Sequence, residues 1–290
     1  MNGINGQDHA AVKLAKKALI NTSYLMRGWR VRDVNGRILM YHRVDEVAGD
    51  RLVVSPQAFR AQLEWLRRRE IRVVDLGTLV ESLQHPERGK NQIAITFDDG
   101  YADNYRFAWP ILRSFGFTAT VFVPAGLIGT DRMIPATRPG ATPARLLTWK
   151  ELKEMAANGI SVGSHALTHT RLTRLSLAQV KREVTDSKKT LENKLGRSVD
   201  WFCYPSGAYS VEVVRLVQWA GYSGACSIRP GANTAQTHRF ALRRTEVSGE
   251  DNLFAFQRKL AGAYDGWHYA VQAYGRWQRR RREPAERPHA

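Results

Sequence analysis

The sequence predicts an α/β fold and, within that class, an irregular (β/α) barrel. Three observations carry the prediction. Short apolar runs of strand character alternate with segments of helical period along most of the chain, a pattern that makes a mainly parallel sheet, open or closed, of which closure is favoured here. No repeat of fixed period and no linker splits the sequence. Its 290 residues suit one barrel of about 250 residues with tails. Two smaller domains would also fit the length, but nothing marks a boundary between them.

The elements follow in order. Residues 1–35 form a basic amphipathic segment: Ala11, Leu14, Ala15 and Ala18 share one helical stripe, with Lys13, Lys16 and Lys17 opposite. Such a stripe can pack on the domain or lie on an anionic bilayer. The barrel spans 36–250. Ile38 to Tyr41 reads as a strand ending in His42. Ser55-Pro56 starts a helix carrying Phe59, Leu63 and Leu66 inward. A strand at Ile71 to Val74 and a short helix at Leu76 to Leu83 come next. Ile93 to Phe97 is a strand that runs into Asp98-Asp99-Gly100, with a helix near 103–115 after it and a strand from Thr118 to Val123.

Pro124 to Leu147, rich in Gly, Pro and Thr, reads as a long loop over the top of the domain. Thr148 with Glu151 three residues on is a capping box, and Gly159 closes that helix. A strand at Ile160 to Val162 delivers Gly163-Ser164-His165-Ala166-Leu167-Thr168-His169. Ser176 opens a long helix to about Leu195. Trp201 to Tyr204 is a strand, Val211 to Ala220 a helix closed by Gly221, Tyr222 to Ser227 a strand, and Phe240 to Arg243 the last strand. Residues 251–290 are a helix-like stretch, Leu253 to Tyr274, and a basic tail through Arg279 to Arg282.

Composition narrows the classes. A formal net charge of +17 favours a polyanionic neighbour, nucleic acid or an anionic membrane surface, without choosing between them. No run approaches the roughly 18 uninterrupted apolar residues of a spanning helix. Met1 to Asp8 lacks the features of a secretory signal, so the expected location is cytoplasmic. Cys203 and Cys226 are too few for a disulfide framework, and each lies in an apolar run as a core thiol.

The chemistry centres on the acidic pair. Two adjacent carboxylates at the end of a buried strand repel unless a metal or a base neutralises them, although a plain turn and helix cap would use the same residues. His165 and His169, four apart after another strand, can converge on one ion, on a helical turn or across a short loop. With Asp99 they make a two-His, one-carboxylate set that leaves coordination positions open for water.

In sequence order TFDDG, SHALTH and FCYPSG resemble the motifs of the polysaccharide deacetylases of carbohydrate esterase family 4, the NodB homology domain, across roughly residues 36–247. The resemblance implies a deformed seven- or eight-stranded TIM-like barrel. It also implies that Asp98 is the general base and that Asp99, His165 and His169 bind a divalent metal, most often zinc, with Ni2+, Co2+, Mn2+ or Fe2+ as alternatives. The third motif departs from the family's Arg-x-Pro-x-Gly: Cys203 stands where the arginine belongs, in Cys203-Tyr204-Pro205-Ser206-Gly207. The oxyanion donor, a backbone N–H, falls on Ser206 and tolerates the change. Arg244 is the candidate for the missing guanidinium. No counterpart of the fourth motif or of the fifth, Leu-x-His, is evident. Leu39-Met40-Tyr41-His42-Arg43-Val44 instead resembles the opening strand of the permuted poly-N-acetylglucosamine deacetylase branch, which makes His42 the general acid.

The implied reaction removes an N-acetyl or N-formyl group from an amino sugar. The expected partner is an N-acetylated sugar polymer or a lipid-linked oligosaccharide. The basic ends add a peripheral position on the inner face of the membrane, and nucleic acid is the less favoured partner. Trp149, Trp201, Tyr204 and Tyr209 are candidates for stacking on sugar rings. Two other classes share the residues: a non-heme iron oxygenase, which uses the same ligand set, and an inactive basic module that binds glycan or nucleic acid.

Overall fold

The structure is a computed structural model and describes residues 34, 36–85, 90–134 and 141–265. Residues 32–256 make one compact unit. The amphipathic stripe at 11–18 and the basic tail at 276–290 lie outside the described residues.

Eight strands form one sheet: β1 (Arg37–Tyr41), β4 (Arg72–Val73), β5 (Gln92–Phe97), β6 (Thr120–Val123), β7 (Ser161–Ser164), β8 (Trp201–Cys203), β9 (Gly224–Cys226) and β10 (Thr245–Glu246). Their order is β10-β1-β5-β6-β7-β8-β9, all parallel. One edge of β5 is taken by β1, so β4 beside Gln92–Ile93 and β6 beside Thr96–Phe97 share the other. A separate parallel pair, β2 (Arg43–Val44) and β3 (Val53–Val54), follows β1.

The sheet curls, and one short segment spans its two edges. Leu242 bridges to Cys226 of β9, and three residues later Thr245 pairs with Leu39 of β1. This brings the two edges together, as expected of a deformed (β/α) barrel. The last strand, however, is not Phe240–Arg243 but Thr245–Glu246. Residues 239–243 spend their backbone groups on β9 and on Asn233: Arg239 O and Leu242 O accept from Ala225 and Ser227, and Arg243 O accepts from the Asn233 side chain. Ladder pairing with β1 therefore starts only beyond them.

Around the sheet lie α1 (Pro56–Arg68), α2 (Leu76–Ser82), α3 (Trp109–Phe115), α4 (Trp149–Ala157), α5 (Leu177–Leu195) and α6 (Val211–Trp219), and α7 (Leu253–Leu260) comes last among the described helices. Side-chain caps start five of them: Ser55, Asp75, Thr148, Ser176 and Ser210 each accept from a backbone N–H in the first turn. Both capping boxes, Thr148 with Glu151 and Ser176 with Gln179, are complete. The helix expected over 103–115 begins as a wide π turn, Asn104–Ala108, before α3. Pro110 has no N–H to give to the preceding turn, and the Trp109 N–H reaches back to Asn104 O.

The core holds two layers. Ile38, Ala94, Phe122, Cys203, Cys226 and Leu242 pack on one face of the sheet with α2. Tyr41, Phe59 and Phe97 pack on the other, with ring centroids 5.2 to 5.9 Å apart. Both cysteines are free and buried.

Candidate active site

The ends of β1, β5, β7 and β8 and the segment before β10 bring the chemical side chains together. After β5 the chain turns sharply: Asp99 takes φ 73° and Gly100 φ 67°. At Gly100 a Cβ would stand 2.8 Å from Val123 Cγ1, so the turn needs glycine twice over. Asp98 and Asp99 leave this turn with separate partners.

Asp98 is 3% exposed and meets Arg244 in a two-pronged pair, Nη1–Oδ1 2.6 Å and Nη2–Oδ2 2.7 Å. Arg244 is itself fastened, Nε to Ser227 O at 2.9 Å and Nη1 to Thr96 Oγ1 at 3.1 Å. Its Nη2 also lies 3.0 Å from Cys203 Sγ. Burial works against a charged Asp98, but the guanidinium's charge and hydrogen bonds outweigh it and lower the pKa. Burial pushes the Cys203 thiol up, so it stays a neutral S–H over the ion pair. The arginine displaced from the third motif thus comes from 41 positions further along the chain.

Asp99 faces two imidazoles. Its Oδ1 lies 3.4 Å from His165 Nε2 and 3.1 Å from His169 Nε2. The two rings approach across a loop, not along a helix: Ala166 and His169 are both left-handed, at φ 63° and 62°. His165 Nδ1 donates to Cys203 O at 2.8 Å, because a carbonyl can only accept. That leaves Nε2 directed at the carboxylate. Burial disfavours a charged His165, yet its surroundings, the Asp99 hydrogen bond among them, raise its pKa well above the usual value. Burial likewise opposes charge on Asp99, and hydrogen bonds from the two rings hold its pKa well below the carboxylate range.

A positive charge is thus favoured between these three atoms. Two imidazole nitrogens and a carboxylate oxygen, with one ring oriented by a carbonyl behind it, are the donor set and support that a divalent metal uses. The residues fit the ion. Asp98, His165 and Cys203 also gather ligand atoms within 4.8 Å. In that second group the guanidinium of Arg244 already occupies Asp98 and Cys203.

Asp98, Asp99, His165 and His169 open into one pocket of about 430 Å³, lined also by His42, Asp50, Tyr101, Thr142, Ser206 and Ile228. His42 arrives there because Tyr41 pairs with Phe97 and its carbonyl accepts from Asp98 N at 2.9 Å. Its Nδ1 is buried without a hydrogen-bond partner among the described residues. Ser206, exposed at the pocket, is left-handed at φ 57°. Of the proposed stacking residues only Tyr204 lines the pocket, and its hydroxyl is tied to Phe240 O at 2.9 Å. Trp201 is 8% exposed and belongs to the core. Tyr209 stacks on Tyr204 at 4.9 Å, and Trp149 lies under Lys194.

Sequence reading missed one wall. Arg43, 3% exposed, bonds Asp103 at 2.7 Å, Asp45 at 2.9 Å and Thr142 Oγ1 at 2.7 Å, and Asp50 accepts from Thr142 N at 2.9 Å. This network ties the predicted top loop, at 141–144, against β2 as a side of the pocket. An arginine directly after His42, set between strand-like apolar residues, was the available signal.

Comparison with known proteins places the chain in a family. The polysaccharide deacetylase family model matches residues 85–225. YxkH of Bacillus subtilis (strain 168), which carries the name of a polysaccharide deacetylase, is 32% identical over 212 residues, 73% of this chain and 71% of its own. A poly-beta-1,6-N-acetyl-D-glucosamine N-deacetylase of Staphylococcus aureus is 25% identical over 279 residues, covering 91% of this chain and 89% of that one. Among solved structures, the Streptococcus pyogenes deacetylase PplD in complex with acetate superposes with a TM-score of 0.68 at 26% identity, over 77% of this chain and 97% of PplD. The barrel architecture is theirs, and the chain belongs to the polysaccharide deacetylases, as a deacetylase enzyme.

Proposed function

We propose that this chain is a metal-dependent hydrolase that removes the N-acetyl, or N-formyl, group from an amino sugar in a glucosamine-type polymer or in a lipid-linked precursor of one. The observation that carries the reading is the pairing of two adjacent carboxylates with opposite partners in one pocket: Asp98 with Arg244, Asp99 with His165 and His169. The Staphylococcus aureus relative's named substrate supports the glucosamine polymer, and the acetate in PplD fits the released acid.

Asp99, His165 and His169 would hold the ion, with zinc the best match to a nitrogen-rich, open set. When bound, a divalent metal supplies Lewis acidity, which acidifies water and polarises a carbonyl oxygen. Asp98 takes the proton of the attacking water, and Arg244 keeps that carboxylate ionised and aimed. The Ser206 N–H donates to the oxyanion that develops on the acyl carbonyl, a contribution of about 10²–10³ in rate for one such donor. His42, protonated, gives its proton to the departing nitrogen as the C–N bond breaks, worth about 10²–10⁴. Acetate and a free amine leave.

The test is metal analysis of the purified chain together with mass spectrometry of N-acetylated glucosamine oligomers and lipid-linked donors. One bound divalent ion and loss of one acetyl mass per event are expected. A metal-free chain, or oxygen consumption in place of acetate release, would overturn the proposal. The basic ends, residues 1–30 and 276–290, would keep such an enzyme on an anionic membrane face. Unchanged membrane co-sedimentation of a chain lacking both ends would reject that placement.

A further inference from the structure

On helix α5 the buried side is Val180, Glu183, Val184, Ser187 and Leu191, a helical stripe with one carboxylate in it. An apolar residue at position 183 would pack there without the several kcal/mol that taking a carboxylate out of water costs. No Lys, Arg or His among the described residues forms an ion pair with Glu183. Its bonds all go to one place. Oε2 accepts from the backbone N–H of Leu167 and of Thr168, each at 2.9 Å, and Oε1 accepts from Thr168 Oγ1 at 2.6 Å.

Those residues are the middle of the loop between His165 and His169. The other side of the loop is fastened as well. Ala125 N donates to Ala166 O at 3.1 Å and Gly126 N to Leu167 O at 2.8 Å. The carbonyls of the loop are thus held by the chain after β6, and its amides by Glu183. Between these two holds the loop keeps two non-glycine residues, Ala166 and His169, in left-handed backbone, a conformation that costs about 1–2 kcal/mol for each. One of the two is the histidine that turns its ring to Asp99.

We propose that Glu183 is a positioning residue for the metal site: it fixes the loop so that His169 meets Asp99 beside His165. The inference rests on the proposed metal reading and adds a residue that touches neither the ion nor the substrate. The carboxylate is used because one group must accept from two successive amides and a hydroxyl at once. An amide side chain at this position still offers one oxygen to both N–H groups, whereas alanine offers nothing.

The test is a competition titration of the metal-free chain with Zn2+, run well below its unfolding temperature. Glu183→Ala should bind about 10–100-fold more weakly than wild type, the usual cost of removing support behind a ligand. Glu183→Gln should stay within several-fold of wild type. Glu183→Asp, which keeps the charge but withdraws it by one methylene, should also lose affinity and decides the matter if the alanine variant does not fold. Amide exchange at Leu167 and Thr168 in the metal-free chain gives a second reading: protection should fall in Glu183→Ala and Glu183→Asp while the β5 amides keep theirs. Wild-type affinity in a folded Glu183→Ala or Glu183→Asp variant would overturn the proposal. If wild type itself binds no Zn2+, the metal reading fails, and the exchange measurement still decides whether Glu183 holds the loop.

Discussion

Two halves of the pocket hold one aspartate each and are built in different ways. The Asp99 half takes both imidazoles from one short stretch, His165 to His169, at the start of the loop between β7 and α5. The Asp98 half takes Cys203 from the end of β8 and Arg244 from just before β10, 105 and 146 positions away. In the first, the spacing of the two imidazoles along the chain is local, and only Asp99 and the supports of the loop come from elsewhere. The second exists only when the ring has closed, because Arg244 reaches Asp98 from the segment that joins β9 to β1. A change in the fold that leaves the first half intact can therefore still disable the second.

Substitutions can break this contrast, beginning with the largest effect. His165→Ala removes a ligand and the bond to Cys203 O together, so bound metal and turnover should both vanish while the far-ultraviolet dichroism stays native. Arg244→Met should do the reverse. It leaves Asp98 buried without its partner, a loss of about 3–5 kcal/mol that denaturant unfolding would show, with the metal retained. The same substitution has a pH signature. Arg244 lowers the Asp98 pKa against the raising effect of burial. In wild type the base therefore stays ionised well into acid, and the stability that pairing contributes is present above the unfolded carboxylate value and lost as pH falls through the lower folded one. Without Arg244 the acid limb of kcat/KM should move up by about 1–3 pH units. Smallest of all, Ser206→Ala should change kcat by less than about threefold, since the role assigned to Ser206 belongs to its backbone N–H.

The contrast also explains what could be read from the sequence. The acidic pair, the two histidines and the capping residues Thr148 and Ser176 each signal through near neighbours, and local spacing survives in one dimension. The mainly parallel sheet followed from alternation for the same reason, while its closure depends on contacts between distant strands. Arg244 could be named only as a replacement for an arginine missing at Cys203, since nothing near Phe240 to Val247 says which strand it will face. The shift of the last strand to Thr245–Glu246 came from the same blindness: pairing with β1 depends on how residues 239–243 have already been used by β9 and Asn233. Arg43 and the loop wall it holds at Thr142 needed three separate segments to meet. Glu183 left a trace, a lone carboxylate on a buried stripe, but its meaning depended on what lay across from the helix.

The division of labour between the two aspartates is tested most directly by Asp98→Asn, assayed for metal content and deacetylation on the same preparation. The asparagine still accepts from Arg244 and leaves the Asp99 half untouched. Wild-type metal stoichiometry with turnover reduced by at least about 10²-fold is the predicted result. Loss of the metal along with the carboxylate, or turnover that persists near wild type, would contradict it.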